Sequence, residues 1–341
     1  MKNLFKVFSV ALGLVALVSC NKETPEVMTP SAGLVKVQFA LPEGSPMTRA
    51  TSEGSESTVN RLDIAVVSGG QIAYVGSATQ NAVTIEMNPG TYDVYAFVNA
   101  PSGFYGNIAQ GAQISSLTSA VSSMSDNSAS NFIMSGNITG KVIDGTQGVV
   151  TVPVSRHSSK VIVEALNVDF TGTPYAGRTL TIKGIYVSNV FTQATYQPAA
   201  IASPAATESL WLNKFGNPES NALITETGLS IAIADGGRNT TAHYFYPYPN
   251  STNNSVNSLD AWSVRDTRLV IQARMSGEST DCYYHIDIPD MKCNHKYVIT
   301  AVNIKNIGGP DPEHNLEKQG VEFNVDVQDW ETGFERAFTF E

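Results

Sequence analysis

Leu34-Val35-Lys36-Val37-Gln38-Phe39-Ala40-Leu41 decides how the rest of the chain is read. Val35, Val37, Phe39 and Leu41 fall on one side of an extended segment, and Lys36, Gln38 and Ala40 on the other. That is the period-2 pattern of a strand with one buried face. Pro42, Gly44 and Pro46 then break the strand, and Met47-Thr48-Arg49-Ala50 follows as a loop. Loop tips of small and polar residues are where chains are nicked, so an arginine-specific protease is expected to cut between Arg49 and Ala50. The cut detaches a strand whose four apolar side chains, at about 1.5–3 kcal/mol each, contribute roughly 6–12 kcal/mol of burial. A whole domain is stable by only about 5–15 kcal/mol. A groove emptied of such a strand either unfolds the domain or takes in another strand, which points to assembly by strand exchange.

The chain has 341 residues, enough for two domains. Charged residues make up only 15%, and Gly, Ser, Thr, Asn and Val are plentiful, as in β-rich extracellular proteins. The net charge is −10, and removing residues 1–19, which carry Lys2, Lys6 and no acid, takes it to −12. Phosphate binding needs a basic face, so no nucleic-acid partner is expected. Residues 1–19 read as an export signal, with Lys2 and Lys6 ahead of an apolar run from Val7 to Val18 that is too short to span a bilayer. The run ends in Leu17-Val18-Ser19-Cys20, which looks like a bacterial lipoprotein lipobox. Lipidation of Cys20 follows, anchoring the precursor to a membrane through acyl chains that contribute about 0.8 kcal/mol per buried methylene. Cys282 and Cys293 flank a segment with the marks of a hairpin. Exported chains meet an oxidising compartment, so a disulfide between them and two buried thiols are equally open readings.

Asn21 to Gly33 reads as a tether, and strands then follow one another. Arg61–Val67 and Gln71–Val75 are joined by Ser68-Gly69-Gly70, a hairpin signal. Val83–Met87 and Tyr92–Val98 flank Asn88-Pro89-Gly90, which reads as the next turn of an antiparallel meander. In the Ser/Gly/Asn-rich stretch from Ala100 to Gly140, Ile114, Leu117, Val121 and Met124 recur at helical spacing and predict a short helix packed on the sheet. A new strand series opens after Arg156 with Lys160–Leu166 and Thr179–Val187. Residues 192–257 read as irregular loops with a few strands, including Tyr244-Phe245-Tyr246-Pro247-Tyr248, an aromatic run expected to form an edge strand. Thr267–Ala273, Cys282–Ile288 and Tyr297–Ile304 are further strands. In the tail, Val321, Phe323, Val325 and Val327 alternate with polar residues, and Phe334, Phe338 and Phe340 share a parity with Arg336. No long periodic helix is present, so the expected fold is all-β, with two antiparallel β-sandwich domains and minor helices. The expected divisions are a signal peptide at 1–19, a lipidated propeptide at 20–49, one domain at 50–155 and a second at 156–341.

These pieces resemble the Bacteroidales fimbrillins, the subunits of type V pili. The resemblance is carried by the lipobox, by Thr48-Arg49-Ala50 and by Arg61-Leu62-Asp63-Ile64-Ala65-Val66-Val67. It continues through Asn88-Pro89-Gly90-Thr91-Tyr92 with Ala96-Phe97-Val98-Asn99, and through Phe132-Ile133-Met134-Ser135-Gly136. In the second half it is carried by Arg156–Val163, Asn294-His295-Lys296-Tyr297-Val298 and Val327-Gln328-Asp329-Trp330. Each motif is loose, and their order and spacing carry the likeness; the middle, from about Thr192 to Ser258, matches nothing specific. The resemblance implies two transthyretin-like β-sandwich domains, no enzymatic activity and no cofactor. It implies an outer-membrane lipoprotein precursor, an arginine-specific protease that removes Cys20 to Arg49, and a mature cell-surface fimbria supporting adhesion. Val35, Val37, Phe39 and Leu41 are then the removable strand. Val321, Phe323, Val325 and Val327, with Phe338 and Phe340, are the donor side chains that enter a neighbouring copy or another fimbrial subunit. Arg49 and the chain length favour a stalk subunit over a tip or accessory subunit.

Signals of catalysis are weak. His157, His243, His285, His295 and His314 show no metalloprotease spacing, and no nucleophile elbow, phosphate loop or cysteine–histidine signature occurs. Asp311 with Glu313, and Asp326 with Asp329, are close in sequence only and do not indicate a calcium site. Two other classes stay open: a monomeric surface lipoprotein binding glycans through Tyr244–Tyr248 and Trp211, and, more distantly, a secreted hydrolase. For the tail alone, a last core strand of a monomer accounts for the pattern nearly as well as a donor strand.

Overall fold

The computed structural model describes residues 33–41, 56–146, 148–197, 206–255, 261–313 and, as backbone, 334–340. In the first half the strands are β1 (Val35–Ala40), β2 (Leu62–Ser68), β3 (Gln71–Ala78), β4 (Ala82–Met87), β5 (Gly90–Val98), β6 (Val121–Ser123), β7 (Met134–Ile143), β8 (Val149–Thr151) and β9 (Ser155–Arg156). One-turn helices α1 (Ser102–Tyr105) and α2 (Ile114–Thr118) lie between β5 and β6. A three-stranded sheet, β4-β1-β8, faces a five-stranded sheet, β3-β2-β5-β7-β9. Val37, Phe39, Ile85, Met87 and Val150 of the first share one core with Ile64, Val66, Val94 and Met134 of the second.

The other face of the five-stranded sheet is also covered. Ala65, Val67, Phe97 and Ile133 pack there with Phe104 of α1, Ile114 and Leu117 of α2, and Tyr196. Two covered faces explain why Leu62 to Val67 are all buried, in place of the alternation a half-exposed strand shows. The β2–β3 turn is as the sequence predicts: Ser68 pairs with Gln71, and Gly69 and Gly70 adopt φ of +58° and +81°. Positive φ at both turn residues is what a tight hairpin turn matched to strand twist needs, and glycine adopts it without strain.

The turn at Asn88-Pro89-Gly90 corrects the meander. β4 pairs only with β1 among the described strands, and β5 is flanked by β2 and β7, so the turn carries the chain from one sheet to the other. Both edges of β5 are occupied, which leaves β4 no ladder to join there. The predicted helix is also shorter than its periodicity suggests. It ends at Thr118, Val121 begins β6 and is 47% exposed, and Met124 returns to the core on a 3-10 turn.

The second half comprises β10 (Lys160–Val163), β11 (Leu166–Val168), β12 (Thr179–Ser188), β13 (Val190–Phe191), β14 (Gln193–Thr195), β15 (Trp211–Leu212), β16 (Thr225–Ala234), β17 (Arg238–Asn239), β18 (His243–Phe245), β19 (Thr267–Met275), β20 (Cys282–Ile288), β21 (Lys296–Ile304) and β22 (Phe334–Phe340). The sheet β16-β12-β19-β20 packs against a sheet ordered β17-β11-β21-β10-β18, with β22 on the other side of β21. Their core includes Val161, Leu166, Ile182, Ile185, Ile271 and Ile299. The molecule is an all-β sandwich with minor helices. Antiparallel pairs predominate, but β21 lies parallel to β10, β11 and β22.

Candidate functional site

Among the described residues, β1 lies between two strands that do not pair with each other. On one side it is antiparallel to β4 along six pairs, from Val35 with Met87 to Ala40 with Ala82. On the other it is parallel to β8, with Gln38, Phe39 and Ala40 opposite Val149, Val150 and Thr151. Leu41 N–H donates to Asn81 O at 2.9 Å, and Val152 N–H donates to Ala40 O at 2.9 Å. Alternation places Val37 and Phe39 at 0% exposure and Leu41 at 3%, while Lys36 and Gln38 face solvent. Val35 is half-buried against the same core, and a Cβ at Gly145, whose φ is +86°, would come within 2.8 Å of its Cγ1. Three fully buried side chains contribute roughly 5–9 kcal/mol. The Lys36–Glu86 ion pair, 3.1 Å long with both side chains largely exposed, adds little.

Where the chain passes from the first sandwich to the second, Arg156, His157, Ser158, Ser159 and Lys160 are all at most 4% exposed. The segment is polar, yet it is buried. It is tied to both sides: His157 N–H donates to Ile133 O, Ser159 N–H to Pro247 O and Lys160 N–H to His295 O, all at 2.8–3.0 Å. The Glu56 carboxylate accepts from Lys160 Nζ and from the Tyr246 hydroxyl. Its backbone carbonyl accepts from Arg156 Nε and Nη2 at 3.3 and 3.2 Å. Burial lowers the Arg156 guanidinium to about 10, against the raising effects of Glu56 and Tyr246. His157 is bracketed by hydroxyls, Ser122 Oγ at 2.7 Å from Nδ1 and Ser135 Oγ at 2.9 Å from Nε2. Burial lowers its pKa to about 3, so the ring is neutral at physiological pH.

A second buried carboxylate, Glu313, precedes the tail. Its Oε2 accepts from Arg265 Nη1 at 2.9 Å and from Arg268 Nη1 at 2.7 Å, and Arg268 Nε also donates to Asp287 at 2.7 Å. Glu313 is thus part of an arginine-bound cluster, and Asp311 only accepts from its backbone N–H. Neither Glu56 nor Glu313 is legible as a buried anchor in sequence, because burial of a charge leaves no local pattern.

Of the residues singled out in sequence, the structure brings Val35, Val37, Phe39 and Leu41 into one core. Cys20, Arg49, Ala50, Val321, Phe323, Val325 and Val327 lie outside the described residues. Phe338 and Phe340 belong to β22, whose backbone is paired with Val302 and Ile304 of β21 in the same chain. Cys282 and Cys293 are not joined to each other; Cys282 is buried on β20 and Cys293 half-buried before β21. Tyr246, Tyr248 and Trp211 are at most 6% exposed, so they offer a glycan no stacking face, whereas the expected edge strand is present as β18. His243 is buried against Glu226 at 2.7 Å. Among the described residues no cluster of His, Cys, Asp or Glu could hold a metal, and no helix is long and apolar enough to cross a membrane.

No protein-family model matches the chain, and no curated protein is similar to it in sequence. Solved structures are similar in fold. A candidate cell adhesion protein from Parabacteroides distasonis has a TM-score of 0.58 at 14% identity, over 90% of this chain and 94% of its own. A candidate cell adhesion protein from Bacteroides eggerthii has a TM-score of 0.56 at 17% identity, over 85% and 94%. A fimbrilin from Porphyromonas gingivalis has a TM-score of 0.54 at 14% identity, over 82% and 94%. At such identities the likeness is one of fold.

Proposed function

We propose that this protein is a structural subunit of a cell-surface type V fimbria, exported as an outer-membrane lipoprotein through Cys20, cut after Arg49 and polymerised by strand exchange. The observation that carries the reading is β1, a strand held on both edges by partners that do not pair with each other and filled on its inner face by Val37, Phe39 and Leu41. Its only covalent link to the body runs through the segment that contains Arg49. Removing it opens a slot with two unpaired backbone edges and three empty apolar sites, the surface that an added strand of alternating side chains recognises. The tail of a neighbouring copy or of another fimbrial subunit fills it with Val321, Phe323, Val325 and Val327. Phe338 and Phe340 would have to leave β21 to act as donors. The domain division at 155/156 and the stalk role belong to the same reading, and the similar fold of an adhesion protein and a fimbrilin supports it.

The test treats the precursor, starting at Asn21, with an arginine-specific protease. Mass spectrometry locates the cut and an unboiled gel displays the products. Cutting at Arg49 followed by a detergent-resistant ladder, absent in Arg49→Ala, is expected. A clean cut that leaves a stable monomer removes strand exchange from consideration.

A further inference from the structure

Given strand exchange, the slot also specifies how a donor lies in it. Because β1 is antiparallel to β4 and parallel to β8, those two flanks run opposite to each other. A strand entering in either direction therefore finds one antiparallel and one parallel neighbour, and backbone pairing alone leaves direction open. Side chains decide it. The sites along the slot are a half-buried valine, a closed valine, a closed phenylalanine and a closed leucine, at 35, 37, 39 and 41. Phe39 is among the largest fully buried side chains of the protein.

The tail reads Val321-Glu322-Phe323-Asn324-Val325-Asp326-Val327. Laid in the direction of β1, it puts Phe323 into the closed Val37 site and Val325 into the Phe39 site. Overpacking at one and a void at the other are both destabilising. Shifted by two, it fills the three closed sites with Val321, Phe323 and Val325, but it brings the polar Gln319 to the half-buried Val35 site and carries Val327 beyond Leu41, so the Val35 site is what disfavours it. Laid in reverse, Val327, Val325, Phe323 and Val321 fall on Val35, Val37, Phe39 and Leu41, with three identical residues and one leucine-to-valine change. The segment Phe334–Phe340 fits worse, since seating Phe338 at Phe39 puts Arg336 at Val37 or Leu41, where a guanidinium has no solvent. The reverse seating places Asp326 beside Glu86 where Lys36 now pairs with it, an exposed and screened contact of small effect.

We infer that Phe323 of a neighbouring copy occupies the site of Phe39 and fixes the register, and that the donor runs opposite to the strand it replaces. The full-length precursor carrying Cys293→Ser, cut at Arg49, supplies the test. Phe323→Ala is expected to weaken assembly by roughly a hundredfold to a few thousandfold, as loss of a buried phenylalanine does. Direction is read from cysteine pairs on the outward face, where positions 40 and 36 oppose Ala82 and Glu86. Reverse seating links Glu322→Cys to Ala82→Cys and Asp326→Cys to Glu86→Cys in disulfide-bonded oligomers. Seating in the direction of β1 links Glu322→Cys to Glu86→Cys instead, or to Thr84→Cys when shifted by two. Either of those linkages, or undiminished assembly of Phe323→Ala, overturns the inference while leaving strand exchange standing. Absence of any ladder from the cut wild-type protein overturns the strand-exchange reading itself and this inference with it.

Discussion

Phe39 and His157 show how differently single residues act in this molecule. The Phe39 side chain anchors β1 by burial, with its ring fully enclosed between the two sheets. Phe39→Ala is expected to destabilise the uncut protein by about 3–5 kcal/mol in urea unfolding, the usual cost of emptying a closed aromatic site. Lys36→Ala, which removes only an exposed ion pair, is expected to cost less than about 1 kcal/mol in the same measurement. His157 acts through its proton. Its folded pKa lies near 3 and its ordinary value is 6.5, so between those values the unfolded chain binds a proton that the folded one refuses. Stability is therefore full above about pH 6.5 and falls as pH drops toward 3, by about 1.4 kcal/mol for each pH unit within the window. Between pH 7.5 and 5 the loss from this residue is about 2 kcal/mol. His157→Gln is expected to be less stable at pH 7.5, because the two serine hydroxyls are repositioned, but to lose less on acidification; parallel pH slopes for variant and wild type would remove the role.

At the scale of elements, β1 shares a core with the five-stranded sheet but no backbone ladder, so taking it out breaks no strand pairing there. β2, β5 and β7 pair among themselves, whereas β4 and β8 have β1 as their common neighbour. After the cut at Arg49, hydrogen exchange is expected to speed up in β4 and β8 and to stay slow in β2 and β5 until a donor strand enters; uniform loss of protection would mean that the whole sandwich unfolds with β1. The sequence announces this element because a half-buried strand keeps a period of two and because Pro42 ends it. It announces the β2–β3 hairpin because Gly69-Gly70 supplies, without strain, the positive φ that a two-residue hairpin turn requires. Other elements are less legible for physical reasons. Asn88-Pro89-Gly90 marks a reversal of the chain but not the sheet in which the next strand pairs, so a crossover between sheets looks like a hairpin. β16 carries Leu229, Ile231 and Ile233 at alternating positions yet lies in a stretch dominated by Pro, Asn and Ser, which hides it. The burial of the polar run Arg156–Lys160 is not legible because its partners, Glu56, Tyr246, His295 and Pro247, are brought to it only by the tertiary fold.

For the whole molecule, the proposed strand exchange assigns donating and accepting to different parts of the chain. A subunit that gives its tail at one place and receives a tail at another makes a head-to-tail contact, which grows into an open filament unless the rotation per step closes a ring. Each function can then be abolished separately. Arg49→Ala keeps its own β1, so it cannot accept, but its tail is intact. Phe323→Asp puts a charge at the largest apolar site of the slot, so it cannot donate, but after cutting its slot is open. Neither variant should form a ladder alone. Mixed in equal amounts and treated with the protease, they should give a heterodimer in which the Arg49→Ala tail fills the Phe323→Asp slot. Growth stops there, because the remaining slot is plugged and the remaining tail carries the charge. Unboiled gels with one variant size-tagged read the outcome directly. A ladder from the mixture, or homodimers of either variant, would show that subunits associate through some other surface, since no sequence of one-way exchanges between these two chains extends past a pair.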